Sequence, residues 1–451
     1  MKFAKPILIA IALAFSLLVA VYLGINLYLQ SDTVQGRVRE AASEALGGPI
    51  VMGGTSFTPW GGLSLSDIEL RDPGTGDVLF QADRLRFQVP LLPLLSQRVV
   101  ITSASLLNPT IAWQEGRTTW RMPSPKVTER PIPRDPETPG SKPSRSSYRV
   151  EVQTATITNG SFVLRNSNGQ QAAVLTGIQV RSKIANPQEV SGTFRCAQIR
   201  LGSGFFLREV EVPFAWKEGG LELTPISAIL GDGQLTGSVE VDQGTGMMQS
   251  AFALEGASVP ALLSDANVPS GRAEGLLRGQ AQLTGSLQDA ASLSGSGFAE
   301  LIESKLEPVE FIRQVGQLFR IDELQLLSLS EARSDFLIAD QQVILQQLTL
   351  KSENLQILAE GTMDFEGNMN LPARLLLNEK LQRNLRAMLG KNLEPAPEEG
   401  YKQITFSVTG HVSRPQTDLI EKVSGVRIGS EVGNILQNLF RAPKKPKNEG
   451  D

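Results

Sequence analysis

The sequence predicts a mainly β protein held behind one N-terminal membrane-spanning helix. Three observations carry this. A long, uncharged and mainly apolar run covers Ile7 to Leu29, short segments of alternating apolar and polar residues recur through the rest, and Gly-rich turn signals fall between them. At about 1.5 Å per residue the run would cover roughly 35 Å as a helix, enough for a hydrocarbon core of about 30 Å.

The run is longer than the ~7–15 apolar residues of a signal peptide. No clean small-x-small cleavage site follows it, which favours an uncleaved signal anchor. Lys2 and Lys5 precede it and favour a cytoplasmic N-terminus at residues 1–6, with the body on the far side. Tyr22 and Tyr28 lie towards its far end, where aromatic rings favour the interface.

Next, Ser31 to Leu46 reads as a short amphipathic helix. Val34, Val38, Ala41, Ala42 and Ala45 recur at spacings of three and four, and Gly47-Gly48-Pro49 ends it. Strands follow. In Arg84 to Val89 the residues Leu85, Phe87 and Val89 take one face, and Arg84, Arg86 and Gln88 the other. Residues 123–147 contain seven prolines, many charges and few apolar side chains. Such a segment cannot bury enough surface to offset its ordering entropy, so it reads as a disordered loop or linker.

Alternation resumes at Tyr148. It is clear in Gly233 to Asp242, in Leu355 to Glu366 and in Lys402 to Gly410. Turns are expected at Asn166 to Gly169, Gly231 to Gly233 and Glu366 to Asn368. Helices are expected over Ser304 to Phe319, Asn378 to Leu389 and Leu419 to Phe440, with apolar faces that cover the sheet or cap its ends. The segment Gln234-Leu235-Thr236-Gly237-Ser238 recurs at Gln282 to Ser286, a pair too short to set a repeat period. The resulting layout is an anchor at 7–29, an N-terminal β segment at 30–122, the linker at 123–147, a body at 148–440 and a basic tail at 441–451.

Composition excludes several classes. The net charge of −4 gives no general case for nucleic acid, and the single cysteine, Cys196, excludes an internal disulfide. Cys196 reads as a small strand residue. The single histidine, His411, ends a strand as a solvated turn residue, with nothing nearby to complete a triad or a zinc site. There is no Walker A loop or dinucleotide fingerprint; Gly202 and Gly204 form only a short Gly-x-Gly. Asp364 and Glu366 share a strand face that reads as solvated. Arg441, Lys444, Lys445 and Lys447 read as a solvated terminus. No catalytic residue, metal or cofactor is expected. From these patterns alone the apolar strand faces could close on themselves as a sandwich or stay open as a groove.

The order of motifs resembles the AsmA-like family. Behind the run at 7–29 come the helix of Val34 to Gly47, then Leu63 to Leu70, Leu79 to Leu85, Ser105 to Ile111 and Gly116 to Trp120. A second block comprises Ala332 to Asp340, Leu348 to Leu350, Leu358 to Phe365 and Phe406 to Pro415. The resemblance implies a long curved antiparallel sheet forming an apolar groove, with the body in the periplasm of a bacterial inner-membrane protein. It implies a role in outer-membrane biogenesis or phospholipid movement, related to bridge-like lipid transfer proteins. It brings no catalytic residues. The proline-rich insert departs from its pattern, and the chain is short for the family.

On this basis Leu85, Phe87, Val89, Leu235, Val239, Val241, Ile357, Met363, Phe365, Phe406 and Val408 are the expected groove lining. The expected partners are the inner membrane, a phospholipid or other acyl lipid, and other envelope proteins. The alternative expectation is a scaffold or assembly factor for outer-membrane proteins that works by strand addition at exposed sheet edges.

Overall fold

A computed structural model describes residues 31–58, 62–90, 98–119, 149–186, 188–202, 204–265, 273–286, 289–306, 327–383, 393–411 and 414–424. The expected anchor at 7–29, the linker at 123–147 and the tail at 441–451 lie outside these residues. Among the described residues no helix is long and apolar enough to cross a membrane. The described chain is mainly β, with long strands and few helices. It divides into two compact units, one of residues 1–245 with 265–268 and the other of 246–264 with 269–451.

The first unit opens with helix α1 (Asp32–Leu46). Its apolar positions are mostly small alanines, so the helix end is set locally. Gly47 takes a left-handed conformation (φ 68°) and donates its N–H to the Ser43 carbonyl. The Ser43 hydroxyl accepts the Ile50 N–H at 3.2 Å and ties the helix to the first strand.

Strands β1 (Ile50–Val51) and β2 (Gly54–Thr58) both pair with β3 (Gly62–Arg71), which pairs antiparallel with β4 (Val78–Gln88). Next, β6 (Ser103–Leu107) and β7 (Thr110–Gln114) pair with β4. Long antiparallel strands follow in sequence order: β9 (Thr154–Arg165), β10 (Gln171–Asn186), β11 (Glu189–Leu201), β12 (Phe205–Lys217), β13 (Gly220–Leu230) and β14 (Gly233–Asp242). The junction between the two groups departs from the expected antiparallel order. There β6 and β7 run parallel to β9, and β5 (Arg98–Ile101) runs parallel to β8 (Arg149–Val152). The long connection after β7 explains this, because a parallel neighbour requires the chain to travel back before it pairs. Strands on both sides of 123–147 thus pair directly within one unit.

A line of backbone irregularities crosses this sheet. Asp67, Asn108, Asn159, Gly177 and Glu209 all have positive φ. Asp67 and Asp83 lie between the pairs Ser66–Arg84 and Ile68–Ala82 of β3 and β4. Asn108 donates to Asp83 Oδ2 at 2.6 Å, and Asn159 donates to Asn108 Oδ1 at 2.8 Å. A Cβ on Gly177 would sit 2.7 Å from the Ala197 Cβ, and Ala197 and Glu209 lie between the pairs Cys196–Val210 and Gln198–Arg208 of β11 and β12. Bulges bend a strand and raise its twist, so successive bulges in register curl the sheet along that line.

The second unit is antiparallel throughout its described strands. β15 (Met247–Ser258) is followed by the short helix α2 (Val259–Asp265). Then come β16 (Ala273–Ser286) and β17 (Asp289–Leu306), which pairs with β18 (Leu327–Leu329) and β19 (Glu331–Ala339). β20 (Gln342–Lys351), β21 (Leu355–Asp364), β22 (Asn368–Leu377) and β24 (Lys402–His411) extend the ladder. β23 (Glu394–Pro395) and β25 (Arg414–Thr417) lie along the outer side of β24, before helix α3 (Leu419–Ser424).

The expected helix at Ser304 begins instead as the end of β17; the remainder, from 307, lies outside the described residues. Pairing of Ser304 to Leu306 with β18 overrides the helical spacing there. The expected helix at Asn378 is present as helical backbone over 379–383, and that at Leu419 as α3, their remainders lying outside the described residues. The two copies of Gln-Leu-Thr-Gly-Ser start one strand (β14) and end another (β16), so they are not equivalent positions.

Candidate functional site

Residues directly opposite in an antiparallel register point to the same face. In the first unit this assembles rows of apolar side chains across five strands. One row is Ile184, Val190, Trp216, Leu221 and Val241; the next carries Phe214, Leu223 and Val239; a third carries Val180, Phe194 and Val212. All of these are half-buried. Among the described residues, no helix makes extensive contact with these strands. The opposite face carries Arg181, Lys183, Arg195, Glu222 and Glu240, which are exposed, with an Arg195–Glu211 bridge of 2.7 Å.

Beyond the bulge line the same face continues as a tighter cluster. Cys196, Val210 and Ala228 are buried there, with Leu175, Ile178, Phe194, Ile199, Leu207, Val212 and Leu235 packed against them. The bulges are what allow this. Strict alternation would place Leu207 and Val210 on opposite faces, yet the extra residue at Glu209 returns both to one side. Burial pushes the Cys196 thiol above its usual pKa.

The expected lining residues fall in both units. Leu85 and Phe87 pack against Ile50, Met52, Leu65, Ile68 and Leu70, and Val89 is half-buried just past β4. Leu235, Val239 and Val241 share one face of β14. In the second unit Ile357 and Phe406 are buried in a cluster with Leu355, Leu375 and Leu377, closed by Leu381 and by Leu419 of α3, and Val408 packs against it. Met363 is half-buried between Val343 and Met369. Phe365 lies past the end of β21 and is 51% exposed.

The first-unit rows are thus half-buried, whereas the cluster around Phe406 is buried among protein side chains. The periodicity showed which residues share a face on β4 and β14. It missed Phe194, Val212, Phe214 and Trp216, because those join the surface only once β11 and β12 are paired.

The polar candidates have structural roles. Asp364 accepts both the backbone and side-chain N–H of Asn368, at 2.8 and 2.9 Å, which holds its carboxyl below the usual pKa. His411 Nε2 lies 2.9 Å from the Glu366 carbonyl beside the same hairpin. Among the described residues no cluster of His, Cys, Asp or Glu could hold a metal ion.

The arrangement defines a β-sheet protein whose first unit gathers apolar side chains on one face of β10 to β14 and charged side chains on the other. The AsmA family model matches residues 1–194, the N-terminal part of the chain. Comparison with curated proteins and with solved structures gave no match.

Proposed function

We propose that this chain is a non-enzymatic lipid-binding or lipid-transfer protein, anchored in a bacterial inner membrane with its body in the periplasm. It holds acyl chains on the apolar face of β10 to β14 and contributes to outer-membrane biogenesis and phospholipid homeostasis. The observation that carries this reading is the set of half-buried apolar rows ending in Val239 and Val241, with charged residues confined to the reverse face. Transfer of an acyl chain to such a surface gains about 25 cal/mol per Å² of apolar area removed from water. The family match supports the envelope setting.

The test is site-specific photocrosslinking in cells. A photoreactive residue at Val239 should yield phospholipid adducts, and one at Glu240, on the reverse face, should not. Val239→Asp should lower co-purifying lipid severalfold while the fold stays intact, as read by circular dichroism. Equal lipid adducts at both positions would refute the assignment of this face. Crosslinks to unfolded barrel proteins, without lipid, would replace it with the scaffold reading.

A further inference from the structure

A solvent-open cleft of about 630 Å³ lies on the reverse side of the β3–β4 pair from Leu65, Leu85 and Phe87. Gln35 of α1, Ser56 of β2, Ser64 and Ser66 of β3 and the exposed Arg84 and Arg86 of β4 line it. We propose that this cleft binds a phosphate group, the shared chemistry of a phospholipid headgroup and of free phosphate, through Arg84, Arg86 and the serine hydroxyls of β2 and β3. The headgroup version rests on the lipid reading above; the phosphate site itself does not.

The register builds the site. Arg84 is opposite Ser66 and Arg86 opposite Ser64, while Ser64 is also opposite Ser56. Two residues apart on one strand, the two guanidinium stems stand roughly 7 Å from each other on the same face. Cross-strand partners lie about 5 Å away, so hydroxyls flank both arginines.

Neither arginine has an ion pair or hydrogen bond to another described residue, unlike Arg71 with Glu69 at 2.8 Å on the same sheet. Ser56, Ser64 and Ser66 likewise spend no hydroxyl on another described residue. No acidic residue is among those that line the cleft. Of the nearby carboxylates, Asp83 accepts from Asn108, and Asp67 lies beside Gly53 at the edge of the cleft.

Unpaired guanidinium groups match tetrahedral oxyanions through paired N–H donors, and hydroxyls supply further donors. Gly53 and Gly62 keep the cleft open and the strands close. A Cβ on Gly53 would lie 2.6 Å from the Asp67 carboxylate, and one on Gly62 would collide with the Phe87 carbonyl.

Position favours a headgroup as the occupant. Gln35 is in the first turn of α1, and only five residues separate it from Leu29, the end of the apolar run. With Asp32 to Gln35 helical, the stretch reaches at most about 15 Å. A bilayer holding 7–29 would therefore keep its headgroup layer within reach of this cleft.

The test uses the full chain in a nonionic detergent, with native mass spectrometry of bound phosphatidylglycerol and of diacylglycerol with the same acyl chains. Arg84→Gln with Arg86→Gln should lower phosphatidylglycerol occupancy at least tenfold and leave diacylglycerol occupancy unchanged. Arg84→Lys with Arg86→Lys should fall between, since charge survives without the fork. Ser64→Ala with Ser66→Ala, which leaves both arginines in place, should lower occupancy about threefold and serves if the glutamine pair unfolds.

A second arm titrates inorganic phosphate and reads ³¹P line broadening. Broadening in the parent chain that the glutamine pair abolishes supports the site even if no lipid binds, and identifies free phosphate as its occupant. Unchanged phosphatidylglycerol occupancy in a folded glutamine pair overturns the site, while bound diacylglycerol in the same sample leaves the acyl-binding reading standing.

Discussion

Asp72 shows how one residue organises the N-terminal strands. It is 1% exposed, and its carboxylate accepts the N–H groups of Gly74, Thr75 and Thr119 at 2.8, 3.0 and 2.7 Å, together with the Thr119 hydroxyl. It joins the β3–β4 turn to the chain after β7. Asp72→Ala would leave these donors unpaired in a part-buried site, with an expected loss of about 2–3 kcal/mol in urea unfolding; Asp72→Asn should lose less, because an amide oxygen still accepts. Cys196 offers a test with a defined sign. Its Sγ contacts the Thr176 and Gln198 carbonyls at 3.3 and 3.1 Å, and burial raises its pKa. A raised acid favours the folded state while protonated, so its contribution is full below the unfolded thiol pKa of about 8.5 and is lost as pH rises through the folded value. The stability difference between the parent and Cys196→Ala should therefore shrink between pH 7 and pH 10. Alkylation of Cys196 by iodoacetamide should be at least ~100-fold slower in the native chain than in urea.

Single elements were read from the sequence where alternation or a stop signal was uninterrupted. The alternation over Gly233 to Asp242 coincides with β14, and the Gly47-Gly48-Pro49 stop coincides with the end of α1. Elements that contain a bulge were not legible in this way. In β10, Gly177 has φ 67° and places Leu175 and Ile178 on one face although they are three residues apart. A period of two cannot reveal such a pair, because the flip depends on the neighbouring strand. For the same reason the site was only partly visible: Leu235 and Val239 follow from β14 alone, but Phe214 and Trp216 require the register of β12. The bulge also makes a prediction. Gly177→Ala must adopt a left-handed backbone and press its Cβ to 2.7 Å from Ala197. These two penalties together should cost about 2–4 kcal/mol by chemical denaturation. Gly204→Ala, at a position with open space, should stay within about 0.5 kcal/mol of the parent chain.

Across the whole molecule the two units use apolar residues differently, and stability and lipid binding should separate accordingly. Phe406 is 2% exposed and is enclosed with Leu355, Leu375, Leu377, Leu381 and Leu419, so its side chain stabilises the fold by filling a core. Val239 belongs to rows that remain half-buried, on strands with which no described helix makes extensive contact, so its side chain contributes less to folding and is available to a ligand. Phe406→Ala should cost about 3–5 kcal/mol through lost transfer energy and the cavity left behind. Hydrogen exchange should then speed up in β21, β22 and β24, while lipid occupancy per folded chain stays unchanged. Val239→Asp should do the reverse, lowering occupancy severalfold with a stability change of about 1 kcal/mol or less, because an aspartate on a solvent-accessible face keeps its hydration. Equal destabilisation by both variants would mean that the face of β10 to β14 is itself a filled core, and the lipid reading would fail at its central observation.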